Sequence, residues 1–522
     1  MPASSPRAPV PRSAVHVKRG VARLHRYLLL MVLAAGLLGG TTGCVSTGTN
    51  PVSGNERVYG YSWEEEQDLG ERSDKQIRAQ FGVYNKGGAA QDLVDRVGQA
   101  VLEESALRDP GTKKKFRDAP FEFTVLDSPV VNAFALPGGY VYVTRGLMTR
   151  LNNEAQLAVV LGHEIVHVAA RHSSAQAGKK QLGQIALLGA AIGGQAAGLP
   201  GGQIARLGQT ASQLLFLEYS RDNEEESDKQ GVKYAARAGY KASEGSEFFR
   251  TLGRIQEKRG QTLPTWQSTH PDPGNRRQRV RELAEQYGDG SRVAQDEYYD
   301  VLEGMVMGEN PRNGYVDDNT FFHPNAGYQF PVPRRFEVNT ARNQVQMVEQ
   351  DQGAQLSFAP RPEDASSPRQ AAQQAARQLR QQQGVRLVDD GRAQSSGNLP
   401  AYYLLAEAQS RRQQVRALLY FVEYEGQIYL FQGAAPARAF DRYEDTFLRT
   451  MRGFGPVRDE SRLDVEPLRL SVQRADGTRP FSELAGGGYE SAGISEQDLA
   501  IINQVEMSET IQRGRLLKLP VR

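Results

Sequence analysis

Between residues 56 and 290, apolar positions mostly recur at the three- and four-residue spacing of helices, and one stretch alternates instead. Helical spacing mixed with charge predicts helices over Trp63–Phe81 and Ala90–Leu107. Alternation predicts a strand over Phe121–Leu126, followed by two more strands around the turn Pro137-Gly138-Gly139. We therefore expect a mostly helical domain that carries a small sheet, within an α+β protein.

The chain beyond residue 318 shows a different pattern, with longer alternating stretches and one polar helix. We expect residues 319–460 to form a second α+β domain, joined to the first by a linker over residues 291–318. It has no cluster of catalytic residue types at a catalytic spacing, so we assign it a binding or positioning role. The pattern predicts a helix at Gln370–Gln383 and strands at Tyr402–Glu407, Val415–Tyr424 and Gln427–Gln432.

The clearest chemical pattern lies in the apolar run Ala155–Ala170, which contains His163-Glu164-x-x-His167. Two histidines four residues apart leave one face of a helix and can share one metal ion. Zinc takes nitrogen and oxygen ligands, and Glu164 lies where its carboxylate can take a proton from the attacking water. The alternative is a set of buried side chains satisfied by hydrogen bonds, which would have to hold for two histidines and a glutamate together.

Zinc held by two histidines needs a third protein ligand. Glu224 and Asp228 are four residues apart on a predicted helix face that they share with the small residues Gly231 and Ala235. Glu224 could therefore bind zinc while Asp228 orients a histidine ring. The alternative for this segment is a solvated acidic face. The full set of candidate third ligands is His172, His270, His323 and the acidic residues from Glu218 to Asp228.

Four motifs that follow one another along the chain resemble those of peptidase family M48, which includes zinc endopeptidases. The resemblance covers about Pro51 to Tyr287 and is to the periplasmic lipoprotein branch of that family. The motifs are Asn132-Ala-Phe-Ala-x-Pro-Gly-Gly, His163-Glu164-x-x-His167, Ser220-Arg221-x-x-Glu224-x-x-x-Asp228, and Ser268-Thr-His270-Pro with Arg276.

The resemblance implies a metalloprotease domain of the gluzincin type, with one zinc ion per chain. It implies zinc on His163, His167 and Glu224, with Glu164 as the general base, and it matches Asp228 to the family's aspartate after the glutamate ligand. His270 then either steadies the tetrahedral intermediate or approaches the metal as a gate in a resting state. The alternative for His270 is packing at the entry of a helix.

The strand that precedes the metal-binding helix contains Asn132, Ala133, Phe134 and Ala135. An edge strand in this place offers backbone hydrogen bonds to an extended peptide, so we expect it to bind substrate. The alternative is an internal hairpin that binds nothing.

Residues 1–43 resemble a bacterial lipoprotein signal, with a basic region followed by the apolar stretch Tyr27–Gly40, too short for a typical membrane span. Cys44, the only cysteine, lies where such a signal places its lipidated cysteine, although Thr41 stands where leucine is usual. Residues 44–55 then form a polar tether. We expect a lipid-anchored periplasmic protein, in the outer membrane because Val45 is not the aspartate of inner-membrane retention. The alternative is a simple secretory signal or membrane anchor with an incidental cysteine.

Without residues 1–43, 57 basic and 61 acidic residues remain, a balance that does not suggest a nucleic-acid partner. Residues 466–522 resemble a LysM module, which implies contact with peptidoglycan; the alternative is a structural copy of that module that binds no glycan. We expect a zinc endopeptidase that cleaves extended segments of misfolded or stalled envelope proteins. The rival is a lipid-anchored scaffold or chaperone with a gated or structural metal site, because about half of the mature chain lies outside the M48 resemblance.

Overall fold

The chain divides into two compact units in its computed structural model. Asn313–Asp464 is the smaller unit, and Gly40–Arg312 with Val465–Arg522 is the larger one. The structure describes residues 46–84, 88–179, 219–259, 266, 270, 275–341, 344–351, 353–361, 365–409, 414–486, 489 and 494–521.

The larger unit is organised around one buried helix, Glu154–Ala169, here called the motif helix. It packs against Ala89–Glu103, Gly245–Arg259 and the helix Arg221–Arg237, here called the acidic helix. Further helices in the described part of this unit include Trp63–Phe81, Lys114–Arg117, Arg145–Met148, Arg276–Tyr287, Gln295–Leu302, Phe481–Leu484 and Glu496–Ile502, with a 3₁₀ turn at Ala242–Glu244.

Local signals set several of these helix boundaries. Trp63–Phe81 begins after Ser62, whose side chain forms a capping box with Glu65, and it ends at Gly82, which has a φ of 70°. These are the boundaries that the sequence pattern predicts. The predicted helix Ala90–Leu107 is instead observed over Ala89–Glu103.

A three-stranded sheet lies beside the motif helix. Its central strand Tyr140–Thr144 pairs in parallel with Glu122–Leu126 and antiparallel with Ala133–Leu136. The connecting turn uses Gly138 and Gly139 at φ values of 85° and 104°, which side chains rarely adopt. Ala133–Leu136 therefore lies at an edge of the sheet, in the place where the sequence predicts an edge strand.

The tail, residues 465–522, shares the hydrophobic core of the larger unit, whereas the sequence indicated a separate small unit over residues 466–522. Its strands Arg469–Arg474 and Leu516–Val521 pair antiparallel. The fully buried Lys518 donates hydrogen bonds from Nζ to the carbonyl oxygens of Thr149 and Leu151, at 2.9 and 2.8 Å. The tail is thus fixed to the segment that leads into the motif helix.

The first part of the predicted linker 291–318 is an ordered part of the larger unit. Gly304 N donates to Leu470 O at 2.6 Å, and Met307 N donates to Leu468 O at 2.7 Å. This backbone pairing depends on a partner more than 150 residues away in the chain, so local periodicity could not reveal it.

The smaller unit contains a seven-stranded antiparallel sheet. The helix Pro368–Arg380 covers one face, and the helix Glu444–Arg452 packs with a four-stranded sheet into a second core. His323, one of the candidate third ligands, lies in this unit and its Nδ1 accepts a hydrogen bond from Ala326 N. In spatial order the long strands are Val385–Ser395, Leu399–Gln409, Gln414–Tyr424, Gln427–Pro436, Gln355–Pro360, Gln344–Glu349 and Phe336–Ala341, and the short ones are Gly455–Pro456, Tyr328–Pro331, Thr320–His323 and Tyr315–Asp317.

The mixture of helices and mostly antiparallel sheets confirms the predicted α+β class. Within the described ranges, no helix has both the length and the apolar character needed to cross a membrane. The predicted signal segment 1–43 and Cys44 lie outside the described residues.

Candidate metal centre

The motif helix presents its chemical residues from a fully buried position. Asn153 caps the helix by accepting a hydrogen bond from Gln156 N at 2.9 Å. The helix crosses the acidic helix at two glycines, and a Cβ atom built on Gly231 would lie 2.6 Å from His163 N. The two backbones therefore touch at this point, which brings Glu224 next to the histidines.

Four side chains direct donor atoms to one point. One donor atom from each of His163, His167, Glu224 and His270 lies within 4.8 Å of the other three, and all four residues are buried. The Nε2 atoms of His163 and His167 are 3.0 Å apart, and each is 3.4 Å from a carboxylate oxygen of Glu224. His270 Nδ1 lies 3.2 Å from His163 Nε2 and 3.1 Å from Glu224 Oε1.

These separations match the edges of a small coordination tetrahedron. Zinc bonds nitrogen and oxygen at about 2.0–2.1 Å, so tetrahedral ligands lie about 3.3 Å apart. The donor set, three imidazoles and a carboxylate, is also the chemistry that zinc prefers. The residues present therefore fit one four-coordinate ion.

The charges of the group are those of a site that attracts a cation. Burial acts to raise the pKa of Glu224, but His270 and His163 hold that pKa well below its usual range. Burial lowers the pKa of His167 well below its usual value. Burial also acts to lower the pKa of His163, but Glu224 and Asp228 raise it to about 9. A metal ion binds a carboxylate and the unprotonated nitrogen of an imidazole, and the lowered pKa values of Glu224 and His167 favour these forms.

Glu164 lies at the side of the donor group rather than within it. Its Oε1 is 3.5 Å from His270 Nε2, and neither carboxylate oxygen has a hydrogen-bond partner among the described residues. Burial raises the pKa of this carboxyl group. A buried carboxylate without partners is costly unless it serves a reaction or meets a ligand.

Asp228 and Arg276 hold the outer nitrogen of His163. Asp228 Oδ1 lies 3.0 Å from His163 Nδ1, so it accepts the Nδ1–H and leaves the Nε2 lone pair for a ligand. Arg276 donates from Nε to Asp228 Oδ2 at 3.0 Å, and its Nη1 is 3.3 Å from Glu224 Oε2. Arg276 thus pairs with two buried acidic residues of the site.

His172 and Glu226 lie beside the donor group without joining it. His172 was a candidate third ligand, but its Nδ1 faces the outer nitrogen of His167 at 2.9 Å, on the side of that ring away from Glu224. Glu226, another of the acidic candidates, has its Oε2 3.0 Å from His172 Nε2. The signal available was a third histidine five residues after His167, a spacing that does not show which nitrogen meets which partner.

The comparisons with known proteins agree with this geometry. The model of peptidase family M48 matches residues 94–284, a segment that contains every member of the donor group.

These residues form a peptidase M48 domain.

The chain is also similar to curated peptidases. Metalloendopeptidase OMA1 of Bos taurus is 36% identical over 169 residues, which are 31% of this chain and 32% of that protein. The putative beta-barrel assembly-enhancing protease of Vibrio cholerae is 34% identical over 175 residues, 32% of this chain and 35% of that protein. The beta-barrel assembly-enhancing protease of Escherichia coli is 30% identical over 172 residues, 32% and 35% of the two chains. The chain thus spans about a third of the length of these relatives.

A solved structure with a resemblance to part of the chain is the Ran-binding protein Mog1p of Saccharomyces cerevisiae. It covers 28% of this chain and 99% of that protein, at 12% identity and a TM-score of 0.21.

The predicted substrate strand lies close to the metal centre of the M48 domain. Ala133, Phe134 and Ala135 are buried at the sheet edge, and Asn132 precedes them with its Oδ1 buried and without a hydrogen-bond partner among the described residues. Ala135 and His167 line the same small cavity. The strand and the donor group therefore face a common space.

Proposed function

We propose that the chain is a zinc-dependent endopeptidase that cleaves extended segments of misfolded or stalled envelope proteins. The observation that carries this proposal is the set of four converging donors with Glu164 beside it. A purely structural zinc site would not need a buried, partnerless carboxylate at this distance.

His163, His167 and Glu224 would hold the zinc ion, which when bound polarises the carbonyl of the scissile peptide. Glu164 takes the proton of the attacking water on a carboxylate oxygen and later delivers it to the leaving amine. Burial raises the pKa of the Glu164 carboxyl group, so its carboxylate is a stronger base than an exposed one.

His270 holds the fourth position of the donor group in this structure, with its Nδ1 at hydrogen-bond distance from His163 and Glu224. Water needs that position for hydrolysis. We infer that His270 gates the site at rest and that its ring moves aside, toward the substrate, when a peptide binds. The stacking of its ring on Trp266, at 4.3 Å between centroids, defines the resting position.

The edge strand Ala133–Leu136 would pair with the substrate backbone, and Asn132 would donate or accept one more hydrogen bond at its end. Backbone pairing requires an extended segment, which folded proteins rarely expose. This requirement favours misfolded or incompletely assembled substrates, in agreement with the names of the bacterial relatives.

The proposed location is the bacterial periplasm, with a lipid anchor at Cys44 in the outer membrane. The tail, whose sequence resembles a LysM module, would be the contact to peptidoglycan. The lipid anchor is tested by cell fractionation, in which the Cys44→Ser variant should leave the membrane fraction. The peptidoglycan contact is tested by sedimentation with isolated sacculi, to which a variant with surface changes in the tail should no longer bind.

The test of the proposed function is Glu164→Gln. Cleavage of an unfolded protein such as casein should fall at least ~1000-fold, because the proton acceptor is lost. Zinc content, measured by mass spectrometry, should stay at the wild-type level because Glu164 is not a ligand. Glu225→Gln is the matched control, since Glu225 is exposed on the acidic helix and should leave both values unchanged. Full cleavage by the Glu164 variant would exclude this mechanism.

A second candidate function is a lipid-anchored scaffold or chaperone with a gated metal site. The observation in its favour is the closed donor group, in which His270 holds the position that water needs. Complementation separates the two functions: rescue of an envelope-stress phenotype by the Glu164→Gln variant would favour the scaffold, and failure to rescue favours the peptidase.

A further inference from the structure

A chain of polar contacts leads from the metal centre to the first strands of the described chain. Ser46–Thr49 and Glu56–Tyr59 pair antiparallel and are here called the N-terminal hairpin. His172 lies between His167 and Glu226, with ring nitrogens 2.9 Å from His167 Nδ1 and 3.0 Å from Glu226 Oε2. Glu226 in turn accepts hydrogen bonds from Arg57 Nη2 at 2.7 Å and Asn50 Nδ2 at 3.1 Å, within and beside the hairpin.

One assignment of protons satisfies every contact when His167 Nε2 faces a metal ion. His167 then carries its proton on Nδ1 and donates it to His172 Nδ1. His172 must carry its own proton on Nε2, where it donates to Glu226. The carboxylate of Glu226 accepts from His172, Arg57 and Asn50, so each contact has one donor and one acceptor.

The two histidine ligands are thus supported from different sides. Asp228 and Arg276 contact the outer nitrogen of His163, at 3.0 and 3.3 Å from Nδ1. For His167, the ring stacks on Tyr219 with centroids 3.8 Å apart, which fixes its plane. At the outer nitrogen of the ring, the contact with His172 Nδ1 selects the tautomer that leaves Nε2 free to bind a metal ion.

The packing of His172 is compatible with a positioning role. Its side chain is fully buried, and Glu226 keeps 13% and Arg57 28% of their side-chain surface exposed. A fully buried imidazole with both nitrogens engaged has one fixed orientation. Glu226 accepts hydrogen bonds from both His172 and Arg57, so it connects this orientation to the N-terminal hairpin.

We propose that His172 and Glu226 are positioning residues for the ligand His167, and that the N-terminal hairpin belongs to the metal site through Arg57 and Asn50. This inference rests on the proposed zinc site. It makes a segment that lies before the M48 match part of the machinery that holds the metal.

The test is the zinc affinity of the full chain, measured with Zn²⁺ in competition with a chromophoric chelator. His172→Phe keeps a ring but removes both nitrogens, so zinc affinity should fall about 10–100-fold. His172→Asn places an amide oxygen where Nδ1 lies and should recover most of that loss. Glu226→Gln and Arg57→Gln should each weaken binding a few-fold. Glu225→Gln, next to Glu226 but exposed, is the matched control and should bind like the wild type.

A second readout separates positioning from general stability. The Co²⁺-loaded protein should show an altered visible spectrum in His172→Phe and a nearly wild-type spectrum in His172→Asn, because the spectrum follows ligand geometry. Wild-type zinc affinity in a folded His172→Phe variant, or equal losses in the Phe and Asn variants, would overturn the inference. If His172→Phe does not fold, the zinc affinities of Glu226→Gln and Arg57→Gln provide the test. Unchanged affinity in both of these variants would overturn the inference. A wild-type chain that binds no Zn²⁺ would instead overturn the proposed function.

Discussion

His163 and His167 present the same ring nitrogen to the same point, yet different residues hold their outer nitrogens. The four-residue spacing of His163 and His167 is visible in the sequence, because a helix places such residues on one face. Glu164 and Glu224 are visible in the same motifs. The contact between His172 and Glu226 is not visible, because these residues are 54 positions apart and meet only through the packing of the segment after the motif helix on the acidic helix. Chemistry that lies along one helix is predictable, and chemistry between helices requires the packing.

Asp228→Asn tests the support of His163. The amide keeps the size of the side chain but cannot accept hydrogen bonds from both His163 and Arg276. One of these two contacts therefore loses its hydrogen bond or sets two donors against each other. Zinc affinity should fall about 10–100-fold while the protein stays folded. Chelator competition at constant pH measures the affinity, and near-ultraviolet circular dichroism monitors the fold. An Asn variant with wild-type affinity would show that His163 needs no such partner.

At the scale of helices and strands, the site exists because the motif helix and the acidic helix touch. The sequence pattern located both helices and the small residues between them, and the structure shows backbone contact at Gly162 and Gly231. The position of His270 could not be predicted in this way. It reaches the donor group from outside both helices, so no helical spacing relates it to His163.

Gly231→Ala should push the two helices apart. The added methyl group would lie 2.6 Å from His163 N. This distance is a steric clash, so backbone atoms of one or both helices must move. We expect a loss of about 1–3 kcal/mol in unfolding free energy, together with weaker zinc binding because Glu224 moves with its helix. Urea titration followed by tryptophan fluorescence measures the stability, since both tryptophans, Trp63 and Trp266, belong to the larger unit.

The matched control is Gly253→Ala, in the helix Gly245–Arg259. A methyl group there meets no atom within 4 Å, so stability should stay equal or rise slightly through the better helix propensity of alanine. Equal effects of the two substitutions would contradict the role of close helix contact.

Glu154, the first residue of the motif helix, should give stability a dependence on acid pH. Burial acts to raise the pKa of Glu154, but Arg96 and Arg292 hold it below its usual value. A carboxyl group with a lowered pKa in the folded state stabilises the fold above its unfolded pKa of about 4.3, and this contribution is lost as pH falls below that value.

Glu154→Gln should therefore cost about 1–3 kcal/mol at pH 7 and much less toward pH 3, so the two stability curves converge in acid. Urea midpoints from tryptophan fluorescence at several pH values give the comparison. Glu71→Gln, in an exposed pair with Lys75, is the control and should shift neither curve. Parallel curves for wild type and Glu154→Gln would contradict the ionised pairing.

On the scale of the whole molecule, the chain is organised differently from its sequence order. The pattern predicted the mixed class and the separate character of the segment after residue 318, because each follows from local periodicity. It did not predict that the last residues return to the core of the larger unit. That return depends on apolar surfaces such as those of Phe481 and Leu517, which match distant partners and have no local signature.

Lys518 is the residue through which this return can be tested. Its Nζ, fully buried, donates to the carbonyl oxygens of Thr149 and Leu151 just before the cap of the motif helix, and burial lowers its pKa well below the usual value. Lys518→Met keeps the chain length but leaves both carbonyl oxygens buried without a donor, so unfolding free energy should fall by about 2–4 kcal/mol. Tryptophan fluorescence in urea reports this loss, and Arg513→Met, at an exposed position of the same tail, should change little. If the Lys518 variant unfolds at the wild-type urea midpoint, the tail contributes no such anchor, and the M48 domain should then also survive removal of residues 465–522. If it unfolds at a lower urea concentration, the fold around the candidate metal site depends on a segment almost 300 residues beyond Glu224.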